Sequence, residues 1–196
     1  MTEQEIKANY REFEETIEDT GRKGAENLMS WLRGTTFFRD PSSAAYHLAE
    51  PGGLCRHSLN VYHRAMEEFQ SHPEDYPGVT WDQVAIAALL HDLCKIGTYE
   101  VYTRNVKGED GKWTQVQAYR KNDPLPMGHG EKSLWLVTQY MPLSTEEAMA
   151  IRWHMGAFDE AVKGGFRDLS KVYSAYPLAY LIHQADEKAT YFDEKN

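Results

Sequence analysis

ALLHDLCKIG, residues 88–97, places three ionisable side chains directly after an apolar run. The run, Val84–Leu90, has no polar face, which predicts a helix at the centre of the core. His91, Asp92 and Lys95 then follow within five residues. Burying an unpaired charge costs several kcal/mol, so buried charges are normally paired or bound to a metal ion. The stretch therefore predicts a core helix that ends where these charges are compensated.

The composition is that of a globular chain. Its 196 residues suit one domain with a sizeable core. The longest apolar run is seven residues, which argues against a membrane role, and MTEQEIKANYREFEE contains neither a signal core nor a transit pattern. Cys55 and Cys94 are the two cysteines, so we expect no disulfide framework and a cytoplasmic location. The net charge of −9 argues against long nucleic acid but allows a small phosphorylated substrate.

Apolar residues recur at helical spacing along most of the chain. The helix with the apolar run is predicted to begin at a capping box formed by Thr80 and Gln83 and to end at Gly97. A second capping box, Ser144 with Glu147, predicts another helix start. The other predicted helices lie in the segments 4–33 (interrupted at Gly21 and Gly24), 54–70, 130–140, 144–154 and 176–191.

One segment has a different pattern. YEVYTRNV and WTQVQAYR flank KGEDGK, which predicts a β-hairpin over about residues 99–120 with its turn at Asp110-Gly111. The expected fold class is therefore all-α, a helical bundle with one inserted hairpin. We expect an N-terminal helical extension, residues 1–36, packed on a main domain of residues 37–196.

The hairpin has two interpretations. It follows the HDLCK segment directly, so it could cover the site and select substrates, or it could be an arm that is either ornamental or used for dimerisation. Trp113, Tyr102 and Tyr119 could stack a base, but packing of the hairpin against the bundle is the expectation we adopt.

Six imidazole or carboxylate side chains lie on predicted helices or near their ends. They are His57, His91, Asp92, His129, His154 and Asp186. Such ligands suit zinc, iron, manganese and related ions. Taken singly, each also has an ordinary interpretation as a hydrogen-bonded core residue or a solvated one. Their order, spread over separate helices of one helical domain, favours a shared metal site.

Asp92 and Lys95 have distinct expected roles. Adjacent helical residues differ by about 100°, so His91 and Asp92 can reach one pocket, and the two oxygens of Asp92 could bridge two ions. Lys95 follows His91 by four residues and lies on the same helical face. A protonated ammonium is no metal ligand, but it can hold a phosphate oxygen.

Five segments give the sequence a family resemblance. GGLCRHSLNV, AALLHDLCKIG and LAYLIHQADEKAT are similar to the ligand segments of the HD superfamily of metal-dependent phosphohydrolases, and the similarity covers about residues 37–192. GHGEKS and IRWHMG resemble the extra histidine segments of its two-metal subgroup. Within the family, the chain resembles the HD module of bacterial 3′-to-5′ exoribonucleases, without their oligonucleotide-binding domain.

The resemblance implies an HD-domain helical bundle with two divalent metal ions, of Mn, Fe, Mg, Ni, Co or Zn. His57, His91, Asp92 and Asp186 would hold the first ion, and Asp92, His129 and His154 the second. A hydroxide between the ions would attack phosphorus, with Asp92 orienting it. Asp92 and Lys95 are thus the expected catalytic residues, and Lys95 and Lys132 the expected substrate-binding residues. The expected activity is phosphomonoesterase or phosphodiesterase cleavage of a nucleotide or short oligonucleotide.

Other functions stay open at this point. Some two-metal HD proteins resemble diiron oxygenases with the same ligand set, and a non-catalytic HD regulatory module is a third class. The oligomeric state is open as well.

Three neighbouring side chains have structural alternatives. His47 would contact substrate or support a ligand, or else make a local hydrogen bond. His183 lies three residues before Asp186 and could support it. Cys94 is expected to be an inert buried thiol rather than a ligand.

Overall fold

A computed structural model describes residues 1–194, which are mostly helical with one antiparallel β-hairpin. The predicted architecture is confirmed at that level. The helices are α1 (Glu3–Asp19), α2 (Ala25–Arg33), α3 (Gly53–Ser71), α4 (Trp81–Leu90), α5 (His129–Thr138), α6 (Thr145–Trp153), α7 (Glu160–Lys163), α8 (Leu169–Ala175) and α9 (Pro177–Lys188). The strands are β1 (Tyr99–Lys107) and β2 (Trp113–Lys121). Short 3₁₀ turns span Pro73–Asp75, Leu93–Lys95 and Gly156–Phe158, and a π turn spans Ala189–Asp193.

Helix α4 is the centre of the molecule, as its sequence predicts. Every residue from Val84 to Leu90 is buried, and α4 packs against α3, α6 and α9. A helix that is apolar on all sides is stable only when neighbours cover all sides. The surrounding helices therefore fix the position of the end of α4, where His91 begins the polar segment.

Two capping boxes start the helices that lead to the site, and both were predicted. Thr80 N donates to Gln83 Oε1 (3.1 Å), and Ser144 N donates to Glu147 Oε2 (2.7 Å). The two starts are also linked, because Gln83 Nε2 donates to Ser144 Oγ (3.1 Å). Helices α4 and α6 thus begin side by side and end side by side.

The predicted end of the central helix was wrong. The helix stops at Leu90, and Asp92 has left the helical region at φ −108° and ψ 18°. A 3₁₀ turn then carries the chain to Gly97, whose φ of +64° directs it into β1. His91 and Asp92 therefore reach one pocket because the helix has ended, and not because they share a helical face.

Helices α7 and α8 were not predicted, and the first predicted helix is divided into α1 and α2. Gly24, with a φ of +92°, lies in that break, and a side chain there would collide with the backbone of Tyr140. The break lets α2 turn back onto α1. Phe13 of α1 and Leu28 of α2 lie in the same core cluster as Leu59 and Leu89.

The N-terminal segment and the remainder therefore share one core. The expected division into residues 1–36 and 37–196 stays a prediction, and residues 195 and 196 lie outside the described part of the chain. Among residues 1–194, no helix has both the length and the apolar character that a bilayer span requires.

The hairpin forms where it was predicted, but it does not pack against the bundle. Its register runs from Tyr99 opposite Lys121 to Lys107 opposite Trp113, and the turn contains Asp110 and Gly111. Most of its side chains are exposed, and the described helices make only sparse contact with either strand. Neither strand carries a continuous apolar row that could bury a face, so the packing expectation was wrong.

A buried ion pair joins the segment between α1 and α2 to the start of α6. Glu147 has no exposed surface, and both of its oxygens accept hydrogen bonds from the Arg22 guanidinium. Arg22 also contacts Asp82 in the first turn of α4 (3.1 Å). The pair therefore holds together the starts of the two helices that end at the site.

Arg22→Ala should lower the free energy of unfolding by about 3 kcal/mol, because it leaves a fully buried carboxylate without its cation. Arg33→Ala is the matched control. It removes a guanidinium that pairs with Glu14 near the surface and should cost less than about 1 kcal/mol. Urea denaturation measures both values. Equal losses of unfolding free energy in the two variants would contradict a larger stabilisation by the buried Arg22–Glu147 pair.

Candidate metal centre

The six side chains predicted as metal ligands converge in the structure from five parts of the fold. His57 lies in the second turn of α3, His129 begins α5, and Asp186 lies in α9. His91 and Asp92 follow α4, and His154 follows α6. Those that are fully buried are His57, His91, Asp92 and His154.

Asp92 lies at the middle of the cluster, and its two oxygens face different histidines. Oδ2 is 3.3 Å from His57 Nε2 and 3.4 Å from His91 Nε2. Oδ1 is 2.6 Å from His129 Nε2 and 3.6 Å from His154 Nε2. Asp92 therefore lies between His57 and His91 on one side and His129 and His154 on the other, and His91, Asp92 and His154 also form one possible ligand group.

The group of ligands around His57 is compact. His57 Nε2 is 3.2 Å from Asp186 Oδ1 and 3.3 Å from His91 Nε2. Nitrogen and oxygen ligands about 2.0–2.2 Å from one ion lie about 3–3.5 Å from each other. The spacing of His57, His91 and Asp186 therefore fits three ligands of one cation, and Asp92 Oδ2 lies beside the two histidines.

Two histidines are oriented by the helices that precede them. His91 Nδ1 donates to the Ala88 carbonyl, and His154 Nδ1 donates to the Ile151 carbonyl, each at 2.7 Å. Both residues are C-caps, so the free carbonyls at the helix end are natural acceptors. With Nδ1 protonated, the Nε2 lone pair points into the cluster, as a metal ligand requires.

His154 supplies an independent indication of a ligand. Its Nε2 atom is buried and has no hydrogen-bond partner among the described residues. Buried polar atoms without a partner are rare, and each one requires a physical explanation. A cation held with His91 and Asp92 would satisfy this nitrogen, so the residues present fit a metal ion.

The charges around Asp92 keep it ionised. Burial opposes its charge, but Lys95 and His91 outweigh burial and hold the pKa of Asp92 well below its usual range. Lys95 Nζ lies 2.6 Å from Asp92 Oδ2. Burial likewise opposes the charge of Asp186, but its contact with His57 lowers the pKa. Both carboxylates are thus in the form that binds cations.

Two of the histidines, His57 and His129, have raised pKa values. Burial disfavours the His57 imidazolium, but the neighbouring carboxylates, Glu194 foremost, raise its pKa well above the usual value. Burial also opposes the charge of His129, whose pKa is raised to about 9 by Cys94 and Asp92. Metal ions must displace these protons, so binding is coupled to proton release.

Glu194 is a component of the centre that the sequence did not reveal. It is buried, and both of its oxygens accept from His57 Nδ1, at 3.0 and 3.1 Å. Asn60 Nδ2 donates to the same carboxylate at 2.9 Å. A carboxylate on the far nitrogen of a ligand histidine fixes its orientation and increases its basicity.

Three other neighbours are placed as follows. Cys94 is buried as expected, yet its sulfur lies near Asp92 and His129 in a group that could hold a metal ion. His47 has a buried Nε2 without a described partner, and its ring centre is 5.1 Å from that of His57. His183 Nδ1 donates to the His154 carbonyl at 2.7 Å, so it supports a different ligand segment from the one expected.

A cleft of about 590 Å³ reaches the cluster at His129. Lys95 and Lys132 also lie on its wall. The Lys132 ammonium is almost fully buried and donates to Asp123 Oδ1 at 2.6 Å. Its expected contact with substrate stays a prediction.

Comparisons of the chain with protein-family models, with curated proteins and with solved structures find no match. The geometry alone therefore defines the class. This is a mostly helical protein with buried histidine, aspartate and cysteine groups that could hold metal ions.

Asp92→Asn should abolish metal binding, whereas His154→Ala should lower the metal content without abolishing it. The reason is that Asp92 contacts all four histidines of the cluster, whereas His154 contributes one ligand beside His91 and Asp92. Elemental analysis after loading with Mn²⁺ measures the content. His63→Ala, at a surface histidine paired with Glu12, is the control and should leave it unchanged. Unaltered content in Asp92→Asn would refute the centre.

Glu194→Ala should weaken metal affinity by about 10–100-fold, because His57 loses the carboxylate that orients it. Competition with a fluorescent chelator measures the affinity. Asp193→Ala is the matched control, since Asp193 pairs with Arg64 away from the cluster. Equal affinities in the two variants would contradict the role of Glu194.

Proposed function

We propose that this chain is an HD-type metal-dependent phosphohydrolase that cleaves a phosphoester of a nucleotide or short oligonucleotide. The observation that carries the proposal is the position of Asp92, whose two oxygens face two separate sets of ligands. A single structural ion would not require the two oxygens of one carboxylate to face different histidines. The ligand order along the chain supports the same assignment.

His57, His91, Asp92 and Asp186 would hold one ion, and Asp92, His129 and His154 the other. Bound there, divalent ions supply an activated water and neutralise charge on phosphoryl oxygens. Four imidazoles suit manganese, iron, cobalt, nickel or zinc better than magnesium, which prefers oxygen ligands.

Lys95 is placed to hold the phosphate. Its side chain lies between Asp92 and the cleft, with 14% of its surface exposed. Its pKa is raised, because Asp92 outweighs the effect of burial, so the ammonium keeps its charge. A fixed positive charge beside the reacting phosphate stabilises the charge that develops in the transition state.

The cleft suits a substrate larger than phosphate. Met127, Met155 and Phe158 give it apolar surface, and Lys121 adds positive charge, whereas Lys163 pairs with Glu160 on the same wall. Phe158 is 54% exposed and offers a ring to a planar group. A nucleotide combines the anionic and planar parts that such a lining can contact.

A phosphate-release screen tests the proposal. Nucleotides, short oligonucleotides and bis(p-nitrophenyl) phosphate are offered with each divalent metal in turn, and we expect turnover that a chelator abolishes. Lys95→Ala should lower kcat by about 10²–10³-fold while metal content is retained. Lys188→Ala, which removes a lysine paired with Glu68 on the surface, is the control and should retain kcat.

Two results would contradict the proposal. Oxygen consumption by an iron-loaded protein that releases no phosphate would support a diiron oxygenase. A protein that binds no divalent metal would support a non-catalytic module.

A further inference from the structure

The hairpin presents two faces of different chemistry. Side chains alternate along a strand, and the register shows which residues share a face. We call the first the cleft face, because Tyr99 and Lys121, its first cross-strand pair, both line the cleft. The cleft face consists of Tyr99, Val101, Thr103, Asn105, Lys107, Trp113, Gln115, Gln117, Tyr119 and Lys121. The outer face consists of Glu100, Tyr102, Arg104, Val106, Thr114, Val116, Ala118 and Arg120.

The cleft face is basic, aromatic and amide-rich. None of its ten side chains is a carboxylate. Neither Lys107 nor Lys121 makes an ion pair with any residue of the described range 1–194. Trp113 has 68% of its surface exposed, which is a large apolar area to leave in water.

Tyr119 and Tyr99 are both half-buried at the base of the hairpin. Burial and the nearby carboxylates of Asp40 and Glu50 raise the pKa of Tyr119. The exposed stacking surface is therefore Trp113 near the turn.

The outer face carries one paired and one unpaired cation in the described part of the chain. Arg120 pairs with Glu100 across the strands, and its guanidinium lies 5.6 Å from the centre of the Tyr102 ring. Arg104 makes no ion pair within the described range 1–194. Both strand lysines, Lys107 and Lys121, and the exposed Trp113 lie on the face that leads from the cleft.

The cleft face extends the cleft outward. The Tyr99–Lys121 pair and the Lys107–Trp113 pair are eight residue steps apart, which corresponds to about 27 Å of strand at about 3.4 Å per residue. Its charge also differs from that of the whole molecule. Residues 99–121 contain five Lys or Arg and three Asp or Glu, whereas the chain has a net charge of −9.

We propose that the cleft face binds the single-stranded part of an oligonucleotide whose terminal phosphoester lies in the cleft. Lysines that contact the backbone and aromatic rings that stack on bases are the usual means of binding single strands without sequence preference. The identity of the bound strand as a substrate rests on the proposed function. The acidic net charge is no obstacle, because positive charge is concentrated on this arm.

Fluorescence anisotropy in EDTA tests the proposal without any hydrolysis. The probe is a labelled single-stranded RNA of about ten nucleotides. Lys107→Ala/Trp113→Ala removes one cross-strand pair from the cleft face and should weaken binding about tenfold, with a shallower salt dependence. Arg104→Ala/Val116→Ala removes a pair from the outer face, including one cation, and should bind within about twofold of the unaltered protein.

The outcomes distinguish a failure of RNA binding by the cleft face from a failure of the proposed phosphohydrolase function. RNA binding that depends on the cleft face supports this inference even if no phosphate is released in the screen above. Failure of the unaltered protein to bind RNA, or equal affinities of the two double variants, would overturn it. Loss of a dimer in sedimentation by the cleft-face variant, without an effect on RNA binding, would assign the face to contact with a second copy and also overturn it.

Discussion

The charge of one buried carboxylate determines the arrangement of the centre. Asp92 has almost no contact with water and is surrounded by four imidazoles and the Lys95 ammonium. Its negative charge would be costly there without compensation. The apolar helix α4 brings it into the core, and the helices around α4 bring the groups that balance it. Core packing and site chemistry therefore depend on the same short stretch of chain.

The ends of two helices fix the orientation of two histidines in the site, His91 and His154. Helices α4 and α6 begin together through linked capping boxes and each ends with a histidine at the C-cap. In both, the ring donates to the carbonyl three residues earlier, so the helix end itself fixes the tautomer and the direction of Nε2. A ligand on rigid secondary structure is held more precisely than one on a loop. This explains how residues far apart in sequence form one cluster.

Features with a local signal could be predicted, and features without one could not. The apolar run, the capping boxes and the Asp110-Gly111 turn each depend on a few neighbouring residues, and all form as expected. The six ligand-type residues also converge, although their metal and catalytic roles stay predictions. Glu194 carries no pattern, since its role depends on an approach to His57 that only the fold creates. The hairpin's position was predictable, and its lack of packing against the bundle reflects strands that carry no continuous apolar row.

The contact between His57 and Glu194 joins residues that are 137 positions apart. During synthesis, His57 emerges long before the carboxylate that orients it, and α9 with Asp186 is also made late. Chains fold progressively as they are made, so the bundle can begin to assemble around α4 while its polar pocket is still unfinished. The buried ligand cluster is therefore complete only once the segment that carries Glu194 has been synthesised.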